Sequence, residues 1–205
     1  MVTRQILASF PSASEAAGFV EYVQSVVRGV RLIAVVKGSR VKLVLEGGPE
    51  EVEEALQMVR RCLGEWKSSH RARAGLFLHP IKLVLTEAKL STAIPVKCLC
   101  DVLSLRGRRA RLTGAFIECD VGLDDVIKIA EEFSENYRDA LKLDAYPLVK
   151  RLAAVVATAY GLDVSEALVK LMALELVRDE GGRLVMATQY ERALEKLKSE
   201  HVGGG

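Results

Sequence analysis

The pattern of apolar and polar residues between positions 30 and 63 changes from the period of a strand to that of a helix. A β-branched run ends at the turn Gly38-Ser39, where glycine tolerates a positive φ. Val41, Leu43 and Leu45 then alternate with polar residues, as in a strand with one buried face. Apolar residues continue at helical spacing at Val52, Ala55, Leu56, Val59 and Leu63. The stretch therefore predicts a hairpin followed by an amphipathic helix.

The residues before this stretch complete a small α/β module. Residues 3–10 form a short apolar run that Pro11 ends, which predicts a strand. Ser12 and Glu15 have the spacing of a helix capping box, and apolar residues follow at helical spacing. Residues 1–64 are therefore predicted to form a β-α-β-β-α module with both helices on one face of a small sheet.

Residues 81–143 are predicted to repeat this order. The apolar run from Ile81 to Thr86 is interpreted as a strand, and Thr113-Gly114 as the turn of a second hairpin. A long amphipathic helix follows, with Asp124 in its first turn. The polar and basic residues from Glu65 to Ala74 are interpreted as an extension of the preceding helix or as a linker, and residues 65–80 are assigned to a basic linker between the two modules.

The pattern changes again from Asp144 onward. Residues 144–202 predict helix, turn, helix, hairpin and helix, and the segment LMALELVRDEGGRLVMATQYERAL resembles the second half of many winged-helix domains. The last three glycines, 203–205, are predicted to be a disordered tail. The predicted fold class is α+β, with tandem β-α-β-β-α modules followed by a winged-helix-like C-terminal domain.

Amino-acid composition excludes only a few classes of function. The chain has 205 residues and a formal net charge of +2, so any basic surface for a polyanion must be local. No apolar run reaches the roughly 18 residues of a membrane span, and the N-terminus lacks the apolar block of a signal peptide. We therefore expect a cytoplasmic protein without a membrane partner. Asn136 is the only asparagine, and this scarcity of thermolabile amides indicates a thermophilic source.

The sequence contains no pattern that is typical of catalysis. Phosphate-binding glycine loops, dinucleotide fingerprints and zinc-protease motifs are absent, and we expect no catalytic residue and no cofactor. The spacing of the four cysteines does not match a zinc site, so buried thiols are the preferred interpretation, with a disulfide as the alternative. We therefore expect a protein that is not an enzyme and binds no metal.

Local positive charge carries the remaining functional signal. Four arginines lie within six residues at a predicted helix-to-strand junction, and arginine suits phosphate because its planar fork donates bidentately. A second group of cations belongs to the first hairpin, mostly on the face opposite Leu43 and Leu45. The alternative for the arginine cluster is a solvated turn that pairs with acids of the following helix. The candidate nucleic-acid-binding residues are Arg31, Lys37, Arg40, Lys42, Arg106, Arg108, Arg109 and Arg111.

Resemblances to known families point toward nucleic acid without fixing an activity. The run VKLVLEGGPEEVEEAL resembles the strand-turn-helix that closes many KH-like domains, and the first module resembles a KH-like or ferredoxin-like domain. The GXXG loop of KH domains is missing. Around IPVKCLCDVLSLRGRRARL and the Asp124 helix, the chain resembles an archaeal family of uncharacterised proteins with a domain of unknown function. That resemblance implies an archaeal, cytoplasmic protein and no particular activity.

The favoured hypothesis is a non-catalytic RNA-binding protein that contacts structured or ribosomal RNA through backbone phosphates. One alternative is a DNA-binding transcription regulator that uses the C-terminal winged helix. Its would-be recognition helix, residues 164–176, is mostly apolar and acidic, whereas base edges are read by basic and amide side chains. The other alternative is a protein-interaction or small-molecule-sensing module, with the C-terminal domain contacting a protein partner.

Overall fold

The computed structural model describes residues 1–70, 72 and 74–202. The chain divides into two compact units, Met1–His70 and Arg71–Gly205. The terminal glycines 203–205, predicted to be a disordered tail, lie outside the described residues, as do Arg71 and Arg73 of the predicted linker. Mixed helices and small antiparallel sheets confirm the predicted α+β class.

The first unit is the predicted β-α-β-β-α module. Its elements are β1 (Val2–Ser9), α1 (Ala13–Val26), β2 (Arg31–Lys37), β3 (Arg40–Gly47) and α2 (Pro49–His70). β3 is the central strand of the sheet and pairs antiparallel with both β1 and β2. Val41, Leu43 and Leu45 on β3 are buried against the helices, as their alternation predicts. The turn before β3 contains Gly38 at φ +56°, a conformation that favours glycine.

The assignment of residues 65–80 to a linker was wrong at both ends, and the alternative of a helix extension is confirmed for residues 65–70. Residues 65–70 continue α2, and residues 77–80 form a strand. Trp66 and Ser69 are buried and continue the apolar stripe of α2 after Cys62, since they follow at intervals of four and three residues. The indole of Trp66 packs against Phe19 and stacks on Tyr22 of α1. The segment looked like a linker because its remaining, outward-facing positions are polar.

The second unit begins with another three-stranded sheet. Its first elements are β4 (Phe77–Pro80), α3 (Ile81–Glu87), α4 (Lys97–Leu105), β5 (Ala110–Thr113), β6 (Phe116–Cys119) and α5 (Leu123–Ala140). β6 lies between β4 and β5 and is antiparallel to both, so the strand order matches that of the first sheet. The predicted repeat of topology is confirmed, with one short helix added between the first strand and the main helix.

The prediction of a strand from Ile81 to Thr86 was wrong, because these residues form α3 and the strand precedes them. Pro80 ends the strand opposite Phe116 and stands at the N-cap of the helix. Leu83 and Val84 are fully buried, and α3 packs against α5. Burial against a neighbouring helix therefore outweighs the strand preference of an isolated apolar run.

The C-terminal segment has the predicted order of a winged helix. It consists of α6 (Pro147–Tyr160), α7 (Val164–Ala173), β7 (Val177–Glu180), β8 (Arg183–Met186) and α8 (Tyr190–Val202). The segment 144–202 belongs to the same compact unit as the second sheet. α6 packs against α4, α5 and α7, and its residues 152–157 are fully buried, so this helix is the core of the unit.

No single described helix is long and apolar enough to cross a membrane. Only α6 and α7 taken together reach the required length and composition, and their axes are bent by 105°.

Candidate nucleic-acid interface

The first sheet carries its four predicted cations on the face that the helices leave open. The pairing of β2 with β3 places Arg31 opposite Glu46, Val35 opposite Lys42 and Lys37 opposite Arg40. Residues opposite each other in an antiparallel pair lie on the same face of the sheet. Along each strand these residues alternate with residues that face the helices, so they lie on the face away from the helices. We call this surface the basic face, defined by Arg31, Lys37, Arg40 and Lys42. The prediction that the hairpin cations lie opposite Leu43 and Leu45 is confirmed.

Three of these cations lack a charged partner. Arg31 forms an ion pair with Glu46 at 3.5 Å, whereas Lys37, Arg40 and Lys42 form no ion pair with any residue that the structure describes. Lys37 and Arg40 are also directly opposite each other across the hairpin. Like charges at opposed positions are unfavourable in a sheet, and an anion located between them would reduce this repulsion.

The basic face also exposes apolar side chains between its charges. Leu7 on β1 is opposite Lys42 and is 77% exposed, and Val35 lies on the other side of the same lysine. Together with Lys37 and Arg40, these residues line a shallow depression of about 930 Å³. No strand of this sheet contains an aromatic residue, so the face lacks the stacking platform that RRM sheets offer to bases. The arrangement suits backbone phosphates rather than unstacked bases.

The arginine cluster of the second unit is not a single surface. Arg106 reaches the end of α6, where its guanidinium donates to the carbonyl oxygens of Thr158 at 2.6 Å and Ala159 at 3.4 Å. The same side chain pairs with Glu132 of α5 at 3.0 Å and is only 33% exposed. Arg106 therefore caps the C-terminus of α6 and connects it to α5, which is a structural role.

The other three arginines differ in how far they are neutralised. Arg111 donates to Glu118 at 2.7 Å across the β5–β6 pair, and Arg109 lies 3.7 Å from Asp120. Arg108 is exposed, and its guanidinium group has neither a hydrogen bond nor an ion pair within the described part of the chain. Three of the four arginines are therefore paired, but only Arg106 pairs with an acid of the following helix, as the paired-turn interpretation predicts. Arg108 is the member with a free charge.

The would-be recognition helix of the tail presents few groups that could read a base edge. Its exposed positions include Val169, at 69% exposure, and Met172, at 44%. Lys170 lies over the ring of Tyr160, with its Nζ 5.2 Å from the ring centroid, and Glu166 belongs to the capping box of α7. This surface is apolar and acidic, as the sequence predicts, and such surfaces are more typical of protein contacts than of the DNA major groove.

All four cysteines are buried thiols, as the sequence analysis preferred, and the alternative of a disulfide is not realised in the structure. Burial raises the pKa of Cys98 to about 11 and that of Cys100 to about 12, so both are protonated at neutral pH. The described residues contain no group of histidine, cysteine, aspartate or glutamate side chains that could hold a metal ion.

Sequence reasoning missed two features with functional potential. One is Leu7, which alternation along β1 places on the basic face once the pairing with β3 is known. The other is Asp101, a buried carboxylate on α4. A signal for Asp101 exists in the sequence, since it is the one acid in the otherwise apolar helix sequence KCLCDVLSL.

Comparison with known proteins gives a family but no activity. No curated protein is significantly similar to the chain. Among solved structures, a chain in the crystal structure of an a/eIF2alpha–aDim2p–rRNA complex from Pyrococcus horikoshii OT3 aligns with 85% of this chain and 95% of its own. The identity is 8% and the TM-score is 0.22, a level at which the likeness supports no argument about fold or function.

The sequence matches a family model over residues 8–195, and that family is described as an uncharacterised protein conserved in archaea. The match covers nearly the whole chain, from the end of β1 to the first turns of α8. It confirms the archaeal family that the segment from Ile94 to Leu112 and the Asp124 helix resemble. The chain belongs to this family of uncharacterised proteins conserved in archaea.

Proposed function

We propose that the protein is a non-catalytic RNA-binding protein that holds structured RNA, with ribosomal RNA as a candidate, through its backbone phosphates. The contact surface is the basic face of the first sheet. The observation that carries the proposal is the group of three cations, Lys37, Arg40 and Lys42, that share this open face without a carboxylate partner among the described residues.

Electrostatics supports a polyanionic ligand for this surface. A protein whose net charge is only +2 gains affinity for nucleic acid from a local patch, and neutralising phosphates with lysine and arginine releases counterions. Arg40 adds a planar fork that can hold a phosphate bidentately, and Lys37 opposite it adds a point charge. A phosphate placed between the two would relieve their mutual repulsion.

The shape of the surface supports the backbone of folded RNA as the ligand. Without aromatic rings on its strands, the sheet offers no stacking for splayed bases, so sequence-specific recognition of single strands has little support. Duplex regions of RNA are recognised largely through shape, phosphates and 2′-hydroxyl groups. We therefore expect weak sequence preference and a preference for RNA with double-stranded regions.

A DNA-binding regulator is the second candidate, because the tail has the element order of a winged helix. The surface chemistry favours it less. Besides the apolar and acidic exterior of α7, the cations of the β7–β8 hairpin are paired: Arg178 with Glu180, and Arg183 with Asp144. The exposed Val169 and Met172 favour a protein partner for this part of the tail.

The test is filter binding of full-length protein to a structured RNA across a salt series. We expect the triple variant Lys37→Ala, Arg40→Ala, Lys42→Ala to bind more weakly. Each lost phosphate contact lowers the log–log salt slope by roughly 0.7–0.9, so three lost contacts lower it by about two to three units. A duplex DNA of the same length, titrated in parallel, tests the regulator alternative.

A matched control removes the same charge from the opposite side of the same unit. Arg60, Arg61 and Lys67 are exposed on α2, which packs on the other face of the sheet. Their replacement by alanine should leave affinity and slope close to those of the unmodified protein. Equal losses in both triple variants would reduce the binding to bulk charge, and an unchanged slope in the basic-face variant would refute the proposal. Tighter binding of the DNA duplex, insensitive to the basic-face variant, would favour the regulator.

A further inference from the structure

A pocket of about 570 Å³ lies between α4, α6 and the start of α8, within the second unit. Its walls come from three distant parts of the sequence, and most of its lining side chains are polar or charged. They include Lys97, Cys98 and Asp101 from α4, Arg151 from α6, Gln189 directly before α8 and Tyr190 at its first position. A cavity of this size accommodates a small organic molecule, and convergent polar groups are typical of ligand sites.

The pocket contains a buried carboxylate. Asp101 is only 8% exposed and accepts a hydrogen bond from the hydroxyl group of Tyr190 at 3.0 Å. That hydroxyl belongs to a residue that is itself 8% exposed, so both groups are fixed in the wall of the pocket. No ion pair neutralises Asp101 among the residues that the structure describes. A buried carboxylate with so little compensation is costly for the fold unless something else uses it.

The same pocket contains a guanidinium group with an unsatisfied nitrogen. Arg151 is half-buried, and its Nε is buried without a hydrogen-bond partner among the described residues. No ion pair joins Arg151 to Asp101, although both side chains line the same cavity. The two oppositely charged side chains therefore line one pocket without pairing with each other.

We propose that this pocket binds a small organic anion that also carries a hydroxyl or amino group. Its carboxylate or phosphate accepts hydrogen bonds from Arg151, and its hydroxyl or amino group donates to Asp101. Such a ligand joins the two charged side chains, which do not pair with each other. Lys97 lines the same pocket and adds a second positive charge, although its ammonium group lies 3.5 Å from Glu191 in an exposed ion pair.

This site is independent of the basic face, because it is built entirely from residues of the second unit. Neither Lys42 nor any other residue of the basic face lines it. The two proposals can therefore fail separately.

The test is isothermal titration calorimetry of the full-length protein with two probes of the proposed chemistry. Ribose 5-phosphate combines a phosphate with hydroxyl groups, and L-glutamate combines carboxylates with an amine. Ribose, which has no anion, and inorganic phosphate, which has no carbon-bound hydroxyl or amine, are the reference compounds. We expect one of the two probes to bind at least tenfold more tightly than both references, and the probe that binds identifies the source of the anion.

Variants assign the binding to this pocket. Arg151→Met and Asp101→Asn should each weaken binding of that probe by about 10- to 100-fold, since each removes a hydrogen bond to a charged group. Arg151→Lys should restore part of the affinity, and Arg192→Met, at an exposed position of α8 outside the pocket, should have no effect. Thermal melts verify that each variant is folded, and Tyr190→Phe replaces Asp101→Asn if the latter does not fold.

The proposal is overturned if neither probe binds more tightly than the references. It is equally overturned if Arg151→Met binds the probe as tightly as the unmodified protein.

Discussion

The two three-stranded sheets share a strand order and differ in the charges on their open faces. The open face of the first sheet carries four cations and one carboxylate, Glu46, and only Arg31 is paired with that carboxylate. On the second sheet, Arg111 is directly opposite Glu118, and the hydroxyl of Thr113 also donates to that carboxylate at 3.1 Å. One face is therefore strongly positive, and the other is close to neutral.

This difference shows that dense charge in a sequence is a poor measure of charge on a surface. The run from Arg106 to Arg111 has the highest density of arginine in the chain, yet three of its four guanidinium groups contact carboxylates or carbonyls of the fold. The cations of the first hairpin are sparser along the chain. They collect on one face because the strand period places alternate residues on the same side.

The largest expected effect is a loss of stability when the core residue on the helix-facing side of either sheet is truncated. Leu43 and Ile117 occupy the central strands and are fully buried. Leu43 lies between Ile6 and Ala34, whereas Ile117 lies beside His79, whose Nε2 is 2.7 Å from the carbonyl oxygen of Val121. We expect Leu43→Ala and Ile117→Ala each to lower the free energy of unfolding by about 2–5 kcal/mol, because each leaves a cavity.

Guanidinium chloride denaturation measures the decrease in the free energy of unfolding for both variants. A decrease below about 1 kcal/mol for either variant would mean that its sheet does not cover a packed core. The likeness of the two modules would then be limited to strand order. Val169→Ala, on the exposed side of α7, is the control and should change stability by no more than about 0.5 kcal/mol.

The next effect is a difference in the salt dependence of RNA binding between variants of the arginine cluster and variants of the basic face. Replacing Arg108, Arg109 and Arg111 with alanine should lower the salt slope by about one unit, since Arg108 alone has an uncommitted charge. The basic-face triple variant should lower it by about two to three units in the same filter-binding series. A larger loss from the arginine cluster than from the basic face would reverse the comparison and move the RNA site to the second unit.

A smaller effect is the difference in stability between variants of Arg106 and Arg108. Arg106→Met should lower the free energy of unfolding by about 1–3 kcal/mol, because the carbonyl of Thr158 loses a charged donor at the end of α6. Arg108→Met should change it by no more than about 0.5 kcal/mol. Thermal and chemical denaturation of the two variants makes the comparison, and equal costs would contradict the capping role of Arg106.

The smallest effect is a change in acidity on the neutral face. The hydrogen bond from Arg111 holds the pKa of Glu118 below its ordinary value of 4.5. Since the pKa is lowered by folding, the pair contributes stability above the ordinary pKa, and that contribution is lost as the pH falls through the folded-state value. Carbon-detected NMR titration should show this lowered pKa, and Arg111→Ala should return it toward 4.5. An unchanged Glu118 titration in the variant would show that the pair is not formed in solution.

Local patterns were sufficient to predict most of the fold. Both hairpins, the amphipathic helices and the winged-helix order follow from period and turn residues within a few positions of each other. The errors at Ile81–Glu87 and in the proposed linker have a common cause. In α3 and in the last turns of α2, the deciding factor is the distant element that covers one side of the helix, such as α5 for α3.

Local patterns also predicted the basic face of the first sheet, but not the contacts that depend on distant parts of the chain. Strand period places Arg40 and Lys42 on one face, and the two-residue turn Gly38-Ser39 sets the register that brings Lys37 opposite Arg40, so their grouping follows from the sequence by itself. The partners of Arg106 were not predictable, because Thr158 is 52 residues away along the chain. The pocket around Asp101 was also invisible, since it is assembled from three separate helices.

The position of β2 at the edge of the first sheet gives its charges a second consequence. An uncovered edge strand exposes backbone groups that can pair with another chain, and proteins commonly protect such edges with charged side chains. Arg31 and Lys37 stand at the two ends of β2, whose interior, LIAVV, is wholly apolar. Removing these cations would therefore leave a strand prone to self-association, and solubility constrains them independently of any ligand. Light scattering of the alanine variants would reveal this constraint as a growth in particle size with protein concentration.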